Sequence, residues 1–306
     1  MLSGKERTDL VNVARLYYEQ GLTQDQVAKR IGVSRPLVSK MLTRAREAGI
    51  VHIEIRSSTE GDAALLEALQ TRYALHGGMV LPVQDSMEEN LKAAADYLSG
   101  ELLYERNLGL GWGYLLGESI SLLTQQCNRR QPGAVLPLIG KAHIPNGKVT
   151  GVDELAETLA SACGRHAYRL AVPAFPDSLE ERQQFETTEA FLELDAMWQK
   201  LDAALVEIRD FPSVPDEATA TRFGDSLKRQ RAVGSFLSYY YNERGEFISG
   251  ENDFAVRIPL GTLRHCPKII GLALGAAPNA ITGALKTGLF THLLVTESTA
   301  RKILEK

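Results

Sequence analysis

Apolar positions at the start of the chain follow a helical period. Leu10, Val13, Ala14 and Tyr17 recur at i, i+3, i+4 and i+7, one face of a helix that Gly21 is placed to stop. Thr23 opens a second helix, with Gln26 at capping-box spacing and Val27, Ala28 and Ile31 turned inward. Gly32 and Val33 make a tight turn. Ser34 caps a third helix, in which Val38, Met41, Leu42 and Ala45 repeat the period as far as Gly49. Val51, Ile53 and Ile55 then alternate with His52, Glu54 and Arg56, the period of a strand. The polar stretch 57–62 reads as a linker, and an amphipathic segment, Ala63–Ala74, follows it.

Beyond that point short apolar runs alternate with longer helical patterns. The runs are Met79–Val83, Leu108–Gly111, Ala134–Ile139, Tyr168–Val172, Ala203–Ile208, Ile269–Leu274 and His292–Thr296. Helical stretches such as Val152–Cys163, Leu179–Lys200 and Asn279–Lys286 lie between most of them. This alternation predicts an α/β fold with a mostly parallel sheet covered on both faces. The expected organisation is a winged helix-turn-helix in residues 1–57 and an open parallel α/β domain in 58–306.

Charge sharpens the division. Residues 1–58 hold ten Lys and Arg against six Asp and Glu, whereas the rest of the chain holds 24 against 32. A basic head on an acidic body implies that only the head meets a polyanion. The 306-residue chain is 24% charged and 44% hydrophobic, an ordinary globular composition. It has no apolar run of the roughly 20 residues a membrane helix needs, so no membrane association is expected. The first ten residues carry no apolar core of a secretory signal. Cys127, Cys163 and Cys266 are odd in number and far apart, which predicts no disulfide framework and a reducing, cytoplasmic setting.

In the head, the third helix turns its polar residues outward at its start. Arg35 is placed to read guanine, and Ser34, Pro36 and Ser39 lie on the same groove-facing turns. Thr23, Lys40 and Arg44 suit phosphate oxygens. A basic solvated helical face without a ligand is the plainer alternative. The turn, the cap and the ribbon in register favour double-stranded DNA.

The stretch Leu22–Val51 resembles the DNA-binding end of SorC-type, DeoR-like sugar-responsive bacterial regulators. The likeness continues to the C-terminus. Leu108–Tyr114 (LGLGWGY) is similar to that family's GxGWGR, Val135–Gly140 (VLPLIG) to its VxxLxGG, and Ala232–Gly245 to its AVGDIxGxFxDxxG. Gly275, Asn279 and Leu294–Leu304 resemble GGxxKxxAI and LVTDExTAxxLL. The resemblance implies a C-terminal effector domain with a fold like that of sugar-phosphate isomerases and deaminases. It also implies a phosphorylated sugar as the usual effector, a dimer or tetramer of identical chains, and operators beside carbohydrate catabolic genes, with the regulator acting as a repressor. Several positions depart from the pattern. Ala277 or Pro278 stands where the family has Lys, and Leu274 replaces a Gly. Asn242 and Ser235 replace Asp, Tyr114 replaces Arg, and Lys141 replaces Gly. These changes weaken the sugar-phosphate expectation and leave the regulator expectation standing.

Ligands of open α/β sheets sit at the carboxyl ends of strands. Gly111, Gly113, Tyr114, Gly140, Lys141, Asn242, Gly275 and Asn279 are therefore candidates for one effector pocket. Gly111 and Gly113 permit close approach of backbone to a ligand. Lys141 can hold a phosphate or carboxylate, or form an imine with an open-chain sugar aldehyde, and is otherwise an exposed loop lysine. Asn242 can bond sugar hydroxyls or simply shape a turn, and Asn279 can be no more than a helix cap. The expected effector is a small sugar, polyol, sugar acid or sugar phosphate.

A sugar-phosphate isomerase-like enzyme and a ligand-independent DNA binder are the rival readings. The chain shows no HExxH, CxxC, GxSxG or Walker pattern. Gly109, Gly111 and Tyr114 fail the third glycine of a dinucleotide fingerprint, and the six histidines lack ligand spacing. No catalytic residue, metal or cofactor is expected.

Overall fold

The computed structural model describes residues 4–19, 22–48, 50–51, 62–82, 86–127, 132–141, 151–212 and 216–305. The chain divides into two compact units, Met1–Ser58 and Thr59–Lys306.

The smaller unit is helical. α1 (Gly4–Ala14) runs into a wider turn at Arg15–Glu19, and α2 (Gln24–Ile31) and α3 (Arg35–Glu47) follow. Thr23 caps α2 through the expected box: its hydroxyl accepts from the Gln26 amide at 3.3 Å, and its own amide donates to Gln26 Oε1 at 2.9 Å. Gly32 ends α2 at φ +73°, a left-handed conformation that costs glycine nothing. Val13, Leu16, Val27, Ala28, Val38 and Leu42 form one core cluster and Leu10, Ala14 and Ala45 another; of the residues the spacing turns inward, Tyr17, Ile31 and Met41 are only partly buried, and Leu16 is not among them. The ribbon expected at 51–56 and the linker at 57–62 fall almost wholly outside the described residues.

The larger unit is built on a parallel sheet. In chain order it runs α4 (Ala63–Tyr73), β1 (Gly77–Leu81), α5 (Met87–Leu102), β2 (Asn107–Leu110), α6 (Tyr114–Thr124), β3 (Ala134–Pro137), α7 (Val152–Cys163) and β4 (His166–Ala167). Then come α8 (Leu179–Glu186), α9 (Glu189–Trp198), β5 (Ala203–Glu207), β6 (Arg209–Asp210), α10 (Glu217–Phe223) and α11 (Ser226–Arg229). β7 (Ala232–Phe236), β8 (Tyr239–Asn242), β9 (Phe247–Ile248), α12 (Leu260–Leu263), β10 (Lys268–Leu272), α13 (Pro278–Lys286), β11 (His292–Thr296) and α14 (Glu297–Leu304) complete it.

Seven strands form the main sheet in the order β1-β11-β10-β5-β2-β3-β4, every neighbouring pair parallel. Its strands are apolar on both faces because both are covered. In β5, Ala203 and Leu205 join the core shared with α5, α6 and α7, whereas Ala204 and Val206 join the core shared with α9, α13 and α14. The chain winds outward through β2, β3 and β4, returns to β5, and then winds the other way through β10 and β11. The reversal at β2 and β5 is where such sheets open a crevice. A second, antiparallel sheet, β6-β7-β8-β9, extends from the end of β5.

Three details differ from the sequence expectations. The strand expected at Tyr168–Val172 pairs instead at His166–Ala167, because the Leu170 and Ala171 amides turn to the buried Asp153 carboxylate at 3.0 and 3.1 Å. Leu179–Lys200 is two helices, divided where Thr188 caps the second. Cys127 and Cys163 form a disulfide, their Cα atoms 5.3 Å apart, because packing of α6 against α7 brings together residues separated by 36 positions. Cys266 is a buried free thiol. Among the described residues no helix is long and apolar enough to cross a membrane.

Candidate functional site

In the helical unit Thr23, Ser34, Arg35, Pro36, Ser39, Lys40 and Arg44 are all exposed. Val38, Leu42 and Ala45 are buried on the opposite face of α3. The helical period thus separates a polar face, which carries Arg35, Ser39 and Lys40 on the first turns, from the core face. Arg35 lies 3.9 Å from Asp25, with both side chains about two-thirds exposed, a contact that leaves the guanidinium in water. The Thr23 hydroxyl is engaged in the α2 cap, so the backbone around it is better placed than its side chain to meet a phosphate.

In the larger unit a cavity of about 850 Å³ lies at the carboxyl ends of β2, β3 and β5. Trp112, Gly113 and Tyr114 bring the β2–α6 turn to it, and Lys141 the end of β3. Glu207, Arg209 and Asp210 continue β5 along its wall, and Thr219 and Arg222 of α10 with Ser235–Ser238 close another side. Aromatic rings and hydroxyls alternate with the charges.

Glu207 organises the β2–α6 turn. Its Oε2 accepts from the Leu116 amide at 2.8 Å, filling one of the orphan donors at the start of α6. Gly113 sits at φ +156°, and a Cβ there would coincide with the Glu207 carboxylate. Burial pushes the Glu207 carboxyl above its usual range, partly offset by the Leu116 amide, by Arg209 and by the Leu115 amide.

Asp210 does the same for α13. Its Oδ1 accepts from the Ala277 amide at 2.7 Å. Arg209, between the two acids, lies with its guanidinium 5.5 Å from the Trp112 ring centre. Arg222 is buried, 3.8 Å from the Phe175 ring centre. It donates to Ser238 and to Asp253 at 3.1 Å, and Asp253 also accepts from Arg257 at 2.5 Å.

Of the residues expected to bind effector, Gly113, Tyr114 and Lys141 line this cavity. Gly111, Gly140, Asn242, Gly275 and Asn279 are not part of its lining. Gly111 and Gly140 are buried behind it, their amides donating to Leu205 and Val256 carbonyls. Asn242 shapes its own turn: it donates to Glu246 and accepts from the Arg244 and Glu246 amides. Asn279 accepts from the Ala280 amide at the start of α13. Sequence reasoning missed Glu207, Arg209, Asp210 and Arg222. Glu207 stands at the end of an expected strand, Ala203–Ile208, and Arg209 and Asp210 follow it directly, so the strand-end rule could have nominated them. Nothing in the sequence pointed to Arg222. Among the described residues no His, Cys, Asp and Glu cluster is arranged to hold a metal.

Residues 57–305 match the Sugar-bind family, described as "Putative sugar-binding domain". Over 313 residues the chain is 29% identical to the sorbitol operon regulator of Klebsiella pneumoniae, with 97% of each chain covered. It is 27% identical over 308 residues to the deoxyribonucleoside regulator of Bacillus subtilis (strain 168), with 96% of each covered. The crystal structure of the full-length sorbitol operon regulator SorC from K. pneumoniae superposes with a TM-score of 0.71 at 26% identity, covering 97% of this chain and 98% of that one. These relatives are named as regulators, not enzymes. By residues 57–305 the chain belongs to the sugar-binding domain family, and by its near full-length relatives to the SorC-type transcriptional regulators.

Proposed function

We propose that this chain is a DNA-binding repressor of carbohydrate catabolic genes whose hold on its operator is set by a small carbohydrate in the β2–β5 cavity. Residues 1–57 read double-stranded DNA, and residues 58–306 bind the effector and join copies of the chain into a dimer or tetramer. The observation that carries this reading is the cavity itself: about 850 Å³ at the switch point of a parallel sheet, lined by rings, hydroxyls and a few charges. Near full-length similarity to the sorbitol operon regulator supports it.

Symmetry supplies the mechanism. Two heads must meet half-sites about 34 Å apart, or a multiple of that. An effector that binds one arrangement of the bodies better than another shifts the population that meets this spacing.

The test is fluorescence anisotropy of the full-length protein on the DNA upstream of its own gene, against random duplex, with and without a carbohydrate panel. Preferential binding that weakens steeply with salt and responds to a panel member is the expected result. Arg35→Ala relaxes sequence choice, whereas Arg44→Ala weakens all sequences alike. No preference for any genomic fragment over random duplex refutes the reading, and identical losses in both variants across operator mutants refute the assignment of α3.

A further inference from the structure

The start of a helix following a parallel strand is the natural place for an anion in a fold of this kind, because its first amides lack internal partners. The start of α6 lines the cavity and that of α13 is bonded to the cavity-wall residue Asp210, so the chain fills both with its own carboxylates. At α6 the Leu116 amide donates to Glu207 at 2.8 Å. At α13 the Ala277 amide donates to Asp210 at 2.7 Å, Pro278 has no N–H, and the Ala280 amide donates to Asn279 at 3.0 Å. A phosphate approaching either start meets a fixed carboxylate where it needs a donor.

The remaining charges do not compensate. The cavity wall carries Lys141, Arg209 and Arg222 against Glu207, Asp210, Asp216 and Glu217. Arg222 is already paired with Asp253, at 3.1 Å and with both side chains more than nine-tenths buried. Among the described residues the cavity is therefore not a basic bowl. Its uncharged surface is of a different kind: Trp112, Phe175 and Tyr240 bring rings, and Thr221 and Ser235 hydroxyls, while the Thr219 hydroxyl is bonded to Tyr240 and Arg222. Rings cover the C–H faces of a sugar, and hydroxyls, amides and carboxylates exchange hydrogen bonds with its O–H groups.

We propose that the cavity takes an unphosphorylated, uncharged sugar or polyol and discriminates against its phosphate ester through Glu207 and Asp210. This rests on the regulator reading above and narrows its effector. Among the described residues both acids accept hydrogen bonds only from amides, which leaves lone pairs for ligand hydroxyls.

The test uses full-length protein and matched pairs: sorbitol with sorbitol 6-phosphate, fructose with fructose 6-phosphate, ribose with ribose 5-phosphate, and inorganic phosphate alone. Binding is read by calorimetry and by release from operator DNA. In at least one pair the free compound is expected to bind about tenfold or more tightly than its ester, and inorganic phosphate is expected not to bind. Asp210→Asn keeps the isosteric acceptor for Ala277 and removes the charge. It is expected to shrink the preference by about fivefold or more, with an unchanged melting temperature. Response confined to the esters overturns this inference and leaves the regulator reading intact. An unaltered preference in Asp210→Asn overturns the role of the acids. Silence from every pair, with operator binding insensitive to all carbohydrates, overturns both readings.

Discussion

Two glycines four residues apart, one capping α6 and one inside it, give opposite predictions. Gly113 precedes α6 at φ +156°, and the Glu207 carboxylate lies where its Cβ would be. In Gly113→Ala the carboxylate must leave the α6 start or the backbone must shift. Losing its bonds to the Leu116 and Leu115 amides costs about 0.5–1.5 kcal/mol each if the acid is neutral, and about twice that if it is ionised. The lower range is the minimum loss. Holding alanine in glycine-only backbone adds about 1–3 kcal/mol. The sum is about 2–6 kcal/mol, a fall in melting temperature on the order of 10 °C for a domain of this size. Gly117 lies inside α6, and a Cβ there would meet only Leu155 Cδ2 at 3.7 Å, ordinary contact. Gly117→Ala should stabilise by about 0.5–1 kcal/mol through helix propensity. Urea unfolding of both variants reads the two signs. A cycle with Glu207→Ala isolates the clash, because Gly113→Ala should cost about 1–3 kcal/mol less once the carboxylate is gone. Equal costs in both backgrounds, or stabilisation by both alanines, would refute the account of why glycine stands at Gly113.

Asp253→Ala strands the Arg222 and Arg257 guanidinia, all three side chains being more than nine-tenths buried, and should cost about 3–5 kcal/mol in urea unfolding; a loss below about 1 kcal/mol would contradict the network. Reducing the Cys127–Cys163 bond opens a loop of 36 residues and should lower stability by about 2–4 kcal/mol. Before reduction no thiol should alkylate quickly, because burial pushes Cys266 up to about 11; fast alkylation of Cys127 without reductant would show that the pair is not formed. His292 is held below the ordinary imidazole value, mainly by burial and further by Lys268 and His76, against the pull of Glu101. The unfolded chain therefore binds the proton first. Stability should be full above about pH 6.5 and fall as pH drops from there toward the depressed folded value, and His292→Gln should flatten that limb in pH-dependent unfolding.

The helical head was legible because each signal is local. The box at Thr23 and Gln26 is a contact over three residues, and the inward face is a period of 3.6. The parallel strands were legible as apolar runs because both faces of the sheet are covered, which leaves no polar alternation to interrupt them. The antiparallel sheet was not, since its strands span two to five residues and take their register from partners far along the chain. Within it Tyr241 is fully buried, and the Tyr239 hydroxyl donates to the Ile258 carbonyl at 2.9 Å. The cavity was half legible. Gly113, Tyr114 and Lys141 stand at strand ends and lie in its wall, but Asn242 looks identical in sequence and is consumed by its own turn. What separates them is tertiary hydrogen bonding, which spacing does not encode.

The placement of Glu207 and Asp210 follows from the alternation of one strand. Along β5, Ala203 and Leu205 face the layer that contains α6, and Glu207 continues that side. Ala204, Val206 and Ile208 face the layer that contains α13, and Asp210 continues that one. A period of two therefore delivers one carboxylate to each flanking helix, Glu207 to the Leu116 amide and Asp210 to the Ala277 amide. Between them Arg209 stands on the cavity wall against Trp112, on the segment that also starts the antiparallel sheet by pairing with Ser235. A ligand touching Arg209 thus touches a stretch of chain bonded to both helix starts and to the second sheet. Displacement of that stretch is felt in both layers at once, since neither hydrogen bond can follow it without moving its helix. Acids in these two places therefore narrow the class of ligand admitted and tie its arrival to both layers of the domain.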